Sequence, residues 1–134
     1  PVAKRKIFAG SADPLAYKLM QEMEGSPRLQ LVNGDMNIGP GLDIMLGAGH
    51  TIGTQSLAVP TAKGTAVVAS DCGHLARNFK EDTPSMLITD LIAWMETYDK
   101  VRAKASSVDL CFPGHDAGML LNYPKVAEDV TRLA

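Results

Sequence analysis

The sequence predicts an α/β (α+β) domain, 1–134, built as half of a sandwich: a mixed sheet flanked by helices on one face, its other face left for a partner layer. Short apolar runs bounded by glycine and proline outnumber the helical segments. One of them, Thr65 to Ala69, is almost continuously apolar, as expected of a strand covered on both faces. In the long segment Pro84 to Lys104, Leu87, Leu91, Trp94 or Met95, Tyr98 and Val101 recur at three- and four-residue steps. That spacing gives a helix with a single apolar stripe, suited to packing on a sheet.

Taken in order, Val2 to Phe8 offers a weak edge strand, weakened by the consecutive cations Lys4, Arg5 and Lys6. Ser11 or Asp13 would cap a helix with Pro14 in its first turn and Leu15, Leu19, Met20 and Met23 on one face. Gly25-Ser26-Pro27 ends it, and Leu29 to Val32 reads as a short strand. Asn33-Gly34-Asp35 suits a hairpin turn. Met36 to Ile38 and Leu42 to Leu46 follow as strands around Gly39-Pro40-Gly41. Gln55 to Val59 and Thr65 to Ala69 are joined by a turn at Lys63-Gly64. After the long helix, Val108 to Phe112 is a buried strand, and a last helix is expected from about Pro124 to Leu133.

With a formal charge of −2, the chain has no basic face for nucleic acid and no polybasic membrane patch. No apolar run approaches the roughly 20 residues that span a bilayer. The two cysteines, Cys72 and Cys111, have no framework spacing and read as buried reduced thiols, which favours a cytoplasmic setting.

The chemistry-bearing residues stand where strands give way to loops. His50 lies among Gly47, Gly49 and Gly53, Asp71 ends the strand after Ser70, and His115 follows Pro113-Gly114. Imidazole and carboxylate are the usual donors of a hydrolytic zinc, and one Asp can give an oxygen to each of two ions. Taken singly, either histidine reads first as a satisfied structural one, and Asp71 could be an ordinary helix N-cap. Asp116 serves either a ligand or loop backbone, or is simply solvated.

Read together, these stretches resemble the metallo-β-lactamase superfamily. Gly49-His50-Thr51-Ile52-Gly53-Thr54-Gln55-Ser56-Leu57 is similar to its second histidine motif, Val67-Val68-Ala69-Ser70-Asp71 to the strand leading to its bridging aspartate, and Cys111-Phe112-Pro113-Gly114-His115-Asp116 to its last histidine loop. Gly34 through Gly41 and Asn78 through Pro84 are most similar to the N-acyl-homoserine lactonase group. The resemblance implies an αββα sandwich and two divalent metal ions, zinc by default. His50 would bind the first ion, His115 the second, and Asp71 would bridge them. It also implies a bridging hydroxide that opens a lactone or cyclic amide. His74, near the position of a lactonase tyrosine, would contact the substrate carbonyl or protonate the leaving group, or else is an exposed residue at a helix start.

The family's His-x-His-x-Asp-His motif is absent from this sequence. The chain therefore resembles a C-terminal half, with a companion chain expected to carry the missing ligands. Because residue 1 is Pro1, cleavage of a precursor is the expected origin, ahead of separate genes or a cut fragment. A glyoxalase II-like thioesterase is the rival of the same fold, and a non-catalytic scaffold subunit the rival from another class.

Overall fold

The computed structural model describes residues 13–134, so the expected strand at Val2 to Phe8 and the Ser11 cap lie outside the described residues. Two compact units are distinguished, Pro1–Val32 and Asn33–Ala134. In the first, helix α1 (Pro14–Met23) starts where Asp13 accepts the Leu15 N–H at 2.8 Å, with Pro14 in the first turn. The chain turns away through Gly25 at φ +77°. The helix buries none of its residues, and Leu15, Leu19 and Met20 stay exposed. Leu29 to Val32 forms no strand, so Asn33-Gly34-Asp35 closes no hairpin.

The second unit is organised by a five-stranded sheet in the order β1 (Met36–Gly39), β2 (Leu42–Leu46), β3 (Gln55–Thr61), β4 (Gly64–Ser70), β5 (Cys111–Pro113). The first four strands pair antiparallel, and β5 joins β4 in parallel. Pro40-Gly41 closes β1 onto β2, with Gly41 at φ +74°, the conformation a type II turn demands after proline. Because β2, β4 and β5 run the same way, their C-terminal ends emerge at one edge of the sheet.

Register fixes the two faces. Asp43, Ala58, Val67 and Cys111 lie in one cross-strand row, and Met36, Ile44, Leu57, Val68 and Phe112 in the adjacent row facing the other way. Helices α2 (Ala76–Glu81) and α3 (Leu91–Lys104) cover the first face. There Phe79, Trp94, Tyr98 and Val101 pack with Met45, Ala58, Val67, Ala69, Cys72 and Cys111 into the main core. The ends of the helices are tied by polar side chains. Buried Asn78 accepts the Leu75 N–H at 2.7 Å and donates to the Thr83 carbonyl at 2.9 Å. Arg102 donates to Asp82 and Asp99 at 2.7 and 2.6 Å.

The long helix begins at Leu91 rather than Pro84, because Asp90 accepts the Ala93 N–H at 3.0 Å and starts it there. Leu87 and Leu91, expected on the apolar stripe, are exposed, and Thr97 is buried in their stead. Val108 to Leu110 is a 3₁₀ turn leading into the short β5. The expected C-terminal helix is a hairpin, β6 (Lys125–Ala127) and β7 (Val130–Thr131), turning at Glu128-Asp129. The β-branched Val126, Val130 and Thr131 favour extended backbone over helix there. A short helix α4 (Gly118–Leu121) precedes it, and Met119, Tyr123, Leu133 and Ala134 pack on Ala66, Leu110 and Phe112 at one end of the second face.

Candidate metal centre

The three parallel-running strands deliver the three sequence-singled residues to one edge: His50 after β2, Asp71 after β4 and His115 after β5. The His50 loop is pinned under the start of α3. Gly49 sits at φ +133°, and a Cβ there would lie 2.5 Å from the Trp94 Cα. Only glycine tolerates both constraints. The Gly49 carbonyl accepts the Thr89 and Asp90 N–H groups at 2.8 and 3.1 Å, and Thr97 Oγ1 donates to the Ala48 carbonyl at 2.8 Å.

At the end of β4, Ser70 adopts φ +49°, a left-handed conformation that turns Asp71 out of the ladder. Beyond the last ladder pair the two loops are tied again by backbone bonds: Gly114 N–H donates to the Gly73 carbonyl at 3.0 Å and His115 N–H to that of His74 at 2.9 Å. A Cβ on Gly114 would stand 2.9 Å from the Ser70 carbonyl, so glycine permits this approach. His74 and His115 thereby lie edge to face with ring centroids 5.0 Å apart.

All three histidines of the chain present Nε2 to the one carboxylate. His115 Nε2 is 2.8 Å from Asp71 Oδ1, His74 Nε2 is 3.9 Å from Oδ1, and His50 Nε2 is 3.9 Å from Oδ2. Donor atoms of Asp71, His74 and His115 all lie within 4.8 Å of one another. His50 Nδ1–H donates to the Leu87 carbonyl at 2.8 Å, since a carbonyl can only accept, which leaves the Nε2 lone pair turned toward Asp71. His74 Nδ1 is hydrogen-bonded to Ser85 Oγ. Burial lowers the His74 pKa from its usual value; the Asp71 carboxylate opposes that shift, and the neighbouring imidazoles of His50 and His115 add to it.

Two nearby residues have other work. Cys72 is buried in the core under Gly47, whose Cβ would fall 2.2 Å from the Cys72 sulfur, and burial pushes the thiol up to about 11. Asp116 accepts the Ala76 N–H and the Gly118 N–H, both at 2.8 Å, and so binds the starts of α2 and α4 to the loop. Ser85 and the Leu87 carbonyl lie in a loop and not inside the helix that the spacing from Pro84 predicts. The Asp90 cap, in Thr89-Asp90 just before Leu91, was the signal that places them in a loop over the histidines.

No protein-family model matches the sequence, and no curated protein does either. Solved structures do. An N-acyl homoserine lactone hydrolase with N-hexanoyl-L-homoserine at its catalytic metal centre matches with a TM-score of 0.61 and 23% identity, over 75% of this chain and 42% of that one. A variant of B. thuringiensis AiiA with N-decanoyl-L-homoserine at its active site gives the same figures. AidC, a dizinc quorum-quenching lactonase, matches with a TM-score of 0.59 and 15% identity, over 86% of this chain and 39% of that one. The chain thus spans less than half the length of the lactonases it matches, and over that span it shares their fold.

Proposed function

We propose that this chain is part of a dinuclear metal-dependent hydrolase that opens a cyclic ester or cyclic amide. The observation that carries the reading is the convergence of three imidazole Nε2 atoms on the two oxygens of Asp71. The donor set fits divalent cations of the zinc type: neutral imidazoles, a carboxylate able to offer one oxygen to each of two ions, and an outer hydrogen bond that fixes the His50 tautomer. In this reading His50 holds one ion, His115 the other, and Asp71 stands between them. Such ions would supply an acidified water as nucleophile and polarise the substrate carbonyl.

The chain's own part is to hold these donors still. The glycine-tight loops at Gly49 and Gly114 and the Leu87 carbonyl give the constellation its rigidity. Three histidines and one aspartate are too few for two complete coordination spheres. A companion carrying a His-x-His-x-Asp-His segment is therefore part of the proposal, and the lactonase matches, which extend over only 42% of their own length, support it. So does the second sheet face, where Val68 is 46% exposed beside half-buried Ile44 and Leu57. Both cysteines are free and buried, in keeping with a reducing, cytoplasmic compartment. No helix among the described residues is long and apolar enough to cross a membrane.

The test is the assembled protein with Asp71→Ala or His115→Ala. Each is expected to lose metal and lactone turnover together, by at least about 100-fold in rate. Full metal content and turnover in either variant overturns the reading. A panel of lactones against thioesters separates it from a glyoxalase II-like thioesterase, and elemental analysis separates it from a scaffold without stoichiometric metal.

A further inference from the structure

The site is lopsided about Asp71. On the Oδ2 side stands one histidine, His50; on the Oδ1 side stand two, His74 and His115. We propose that His74 is itself a metal ligand, so that Asp71 Oδ1, His74 Nε2 and His115 Nε2 form a three-donor site which this chain holds without a companion. This deepens the proposed metal centre and rests on it, and it replaces the substrate-contacting role that the sequence suggested for His74.

Three features of His74 lead to it. Its side chain is only 13% exposed, against 65% for His115, and its ring is boxed edge-on by His50, Trp94 and His115 with centroids 5.0–5.5 Å away. A residue serving substrate needs an open approach, whereas a ligand needs only its donor atom aimed inward. That atom, Nε2, faces the same carboxylate oxygen as the Nε2 of His115. Finally, Nδ1 is engaged by Ser85 Oγ, as the His50 Nδ1 is by the Leu87 carbonyl. In the proposed site Ser85 Oγ accepts from Nδ1–H, which leaves the Nε2 lone pair for an ion, the arrangement by which ligating histidines are oriented.

Two histidines, one carboxylate and an open fourth position make a zinc site of the catalytic type. The Oδ2 side, with His50 alone, does not. The chain is therefore expected to bind one ion well and a second only when further donors arrive.

The experiment is titration of the full 134-residue chain with Zn²⁺, read by calorimetry, and with Co²⁺, read by visible absorption. One ion per chain is expected. His74→Ala should weaken that first ion by more than about 100-fold, because even an outer hydrogen-bond partner of a ligand is worth 10–100-fold. Ser85→Ala should weaken it by roughly 10-fold. His50→Ala should weaken it by clearly less than His74→Ala does, because His50 faces the other carboxylate oxygen. The variant His74→Cys gives a signature that a structural role cannot: a sulfur-to-cobalt charge-transfer band lacking in the parent chain. Circular dichroism and the unfolding midpoint verify that each variant is folded. The proposal is overturned if the parent chain binds no ion, if folded His74→Ala binds like the parent, if His50→Ala loses as much as His74→Ala, or if His74→Cys gives no new band. Absence of lactone turnover by the complete assembly counts against the proposed hydrolase alone, and absence of an ion on this chain counts against the His74 site alone.

Discussion

On the sheet face that carries Ala58, Val67 and Ala69, the helices α2 and α3 leave those three side chains with no exposure, and Trp94 and Tyr98 above them have none either. On the opposite face Val68 is 46% exposed and Ile44, Leu57 and Val59 are half-buried, with the C-terminal segment covering only the end near Phe112. The same strands, with the same alternation, therefore finish one core and leave another unfinished. The difference teaches where each kind of information resides: the α3 face carries the chain's own stability, and the opposite face is the one a companion would cover under the function proposed above.

The largest way to break that comparison is to cut into each face in turn. Trp94→Ala should cost about 3–5 kcal/mol by loss of buried area and creation of a cavity. Val68→Ala should cost less than about 1 kcal/mol, since half of its surface already meets water. Urea unfolding of both variants decides it, and similar losses would refute the contrast. Val68→Glu should sharpen it further, sparing the chain's own stability to within about 1 kcal/mol while preventing co-purification with the proposed companion.

A smaller effect separates two glycines of one loop. Gly49→Ala should destabilise by about 2–4 kcal/mol, combining a left-handed backbone with collision against Trp94. Gly53→Ala meets nothing within 4 Å and should stay within about 0.5 kcal/mol. Thermal unfolding of the pair measures the difference, and equal midpoints would show that the loop is not pinned under α3.

Next comes alkaline pH. Burial pushes the Cys72 and Cys111 thiols up to about 11, so the folded state favours the neutral thiol. Their contribution is complete below the unfolded value of about 8.5 and is lost as pH rises through it toward 11. Unfolding midpoints should fall across that window, and Cys72→Ala should flatten the fall.

The smallest effect belongs to the acidic limb. The Lys100 ammonium, 2.5 Å from Asp35, holds its carboxyl below the ordinary carboxylate range. That stabilisation is present above a pH of about 3.9 and is lost as pH falls through the lowered folded value. The pair is half exposed, so Asp35→Asn should cost no more than about 1 kcal/mol near neutrality. A shallower fall of stability below pH 4 in the variant than in the parent is the expected record, with Asp43, held low by Lys104, supplying the remaining slope.

Much of this was written locally. The strands at Leu42 to Leu46, Gln55 to Val59 and Thr65 to Ala69 could be read because each is a short apolar run between turn residues whose backbone preferences are intrinsic. The motif residues His50, Asp71 and His115 were legible for the same reason, each standing beside glycine or at a strand end. Other features were settled by contacts between distant segments. The start of α3 is not legible from spacing because the helical spacing of Leu87 and Leu91 runs by accident through a loop, while the Asp90 cap starts the helix only at Leu91. The C-terminal hairpin was read as a helix because its strands are only three and two residues long, too short for alternation to register.

What the sequence determined by itself was the strands β1 to β4, the turns at Pro40-Gly41 and Lys63-Gly64, and the places of His50, Asp71 and His115 at the starts of loops, since these follow from side-chain chemistry and backbone preference within a few neighbours. Only the tertiary structure decided that β2, β4 and β5 end at one edge, that Gly73-His74 runs alongside Gly114-His115, and that Ser85 reaches His74. Those relations depend on strand pairing and packing between residues tens of positions apart, and no local pattern encodes them.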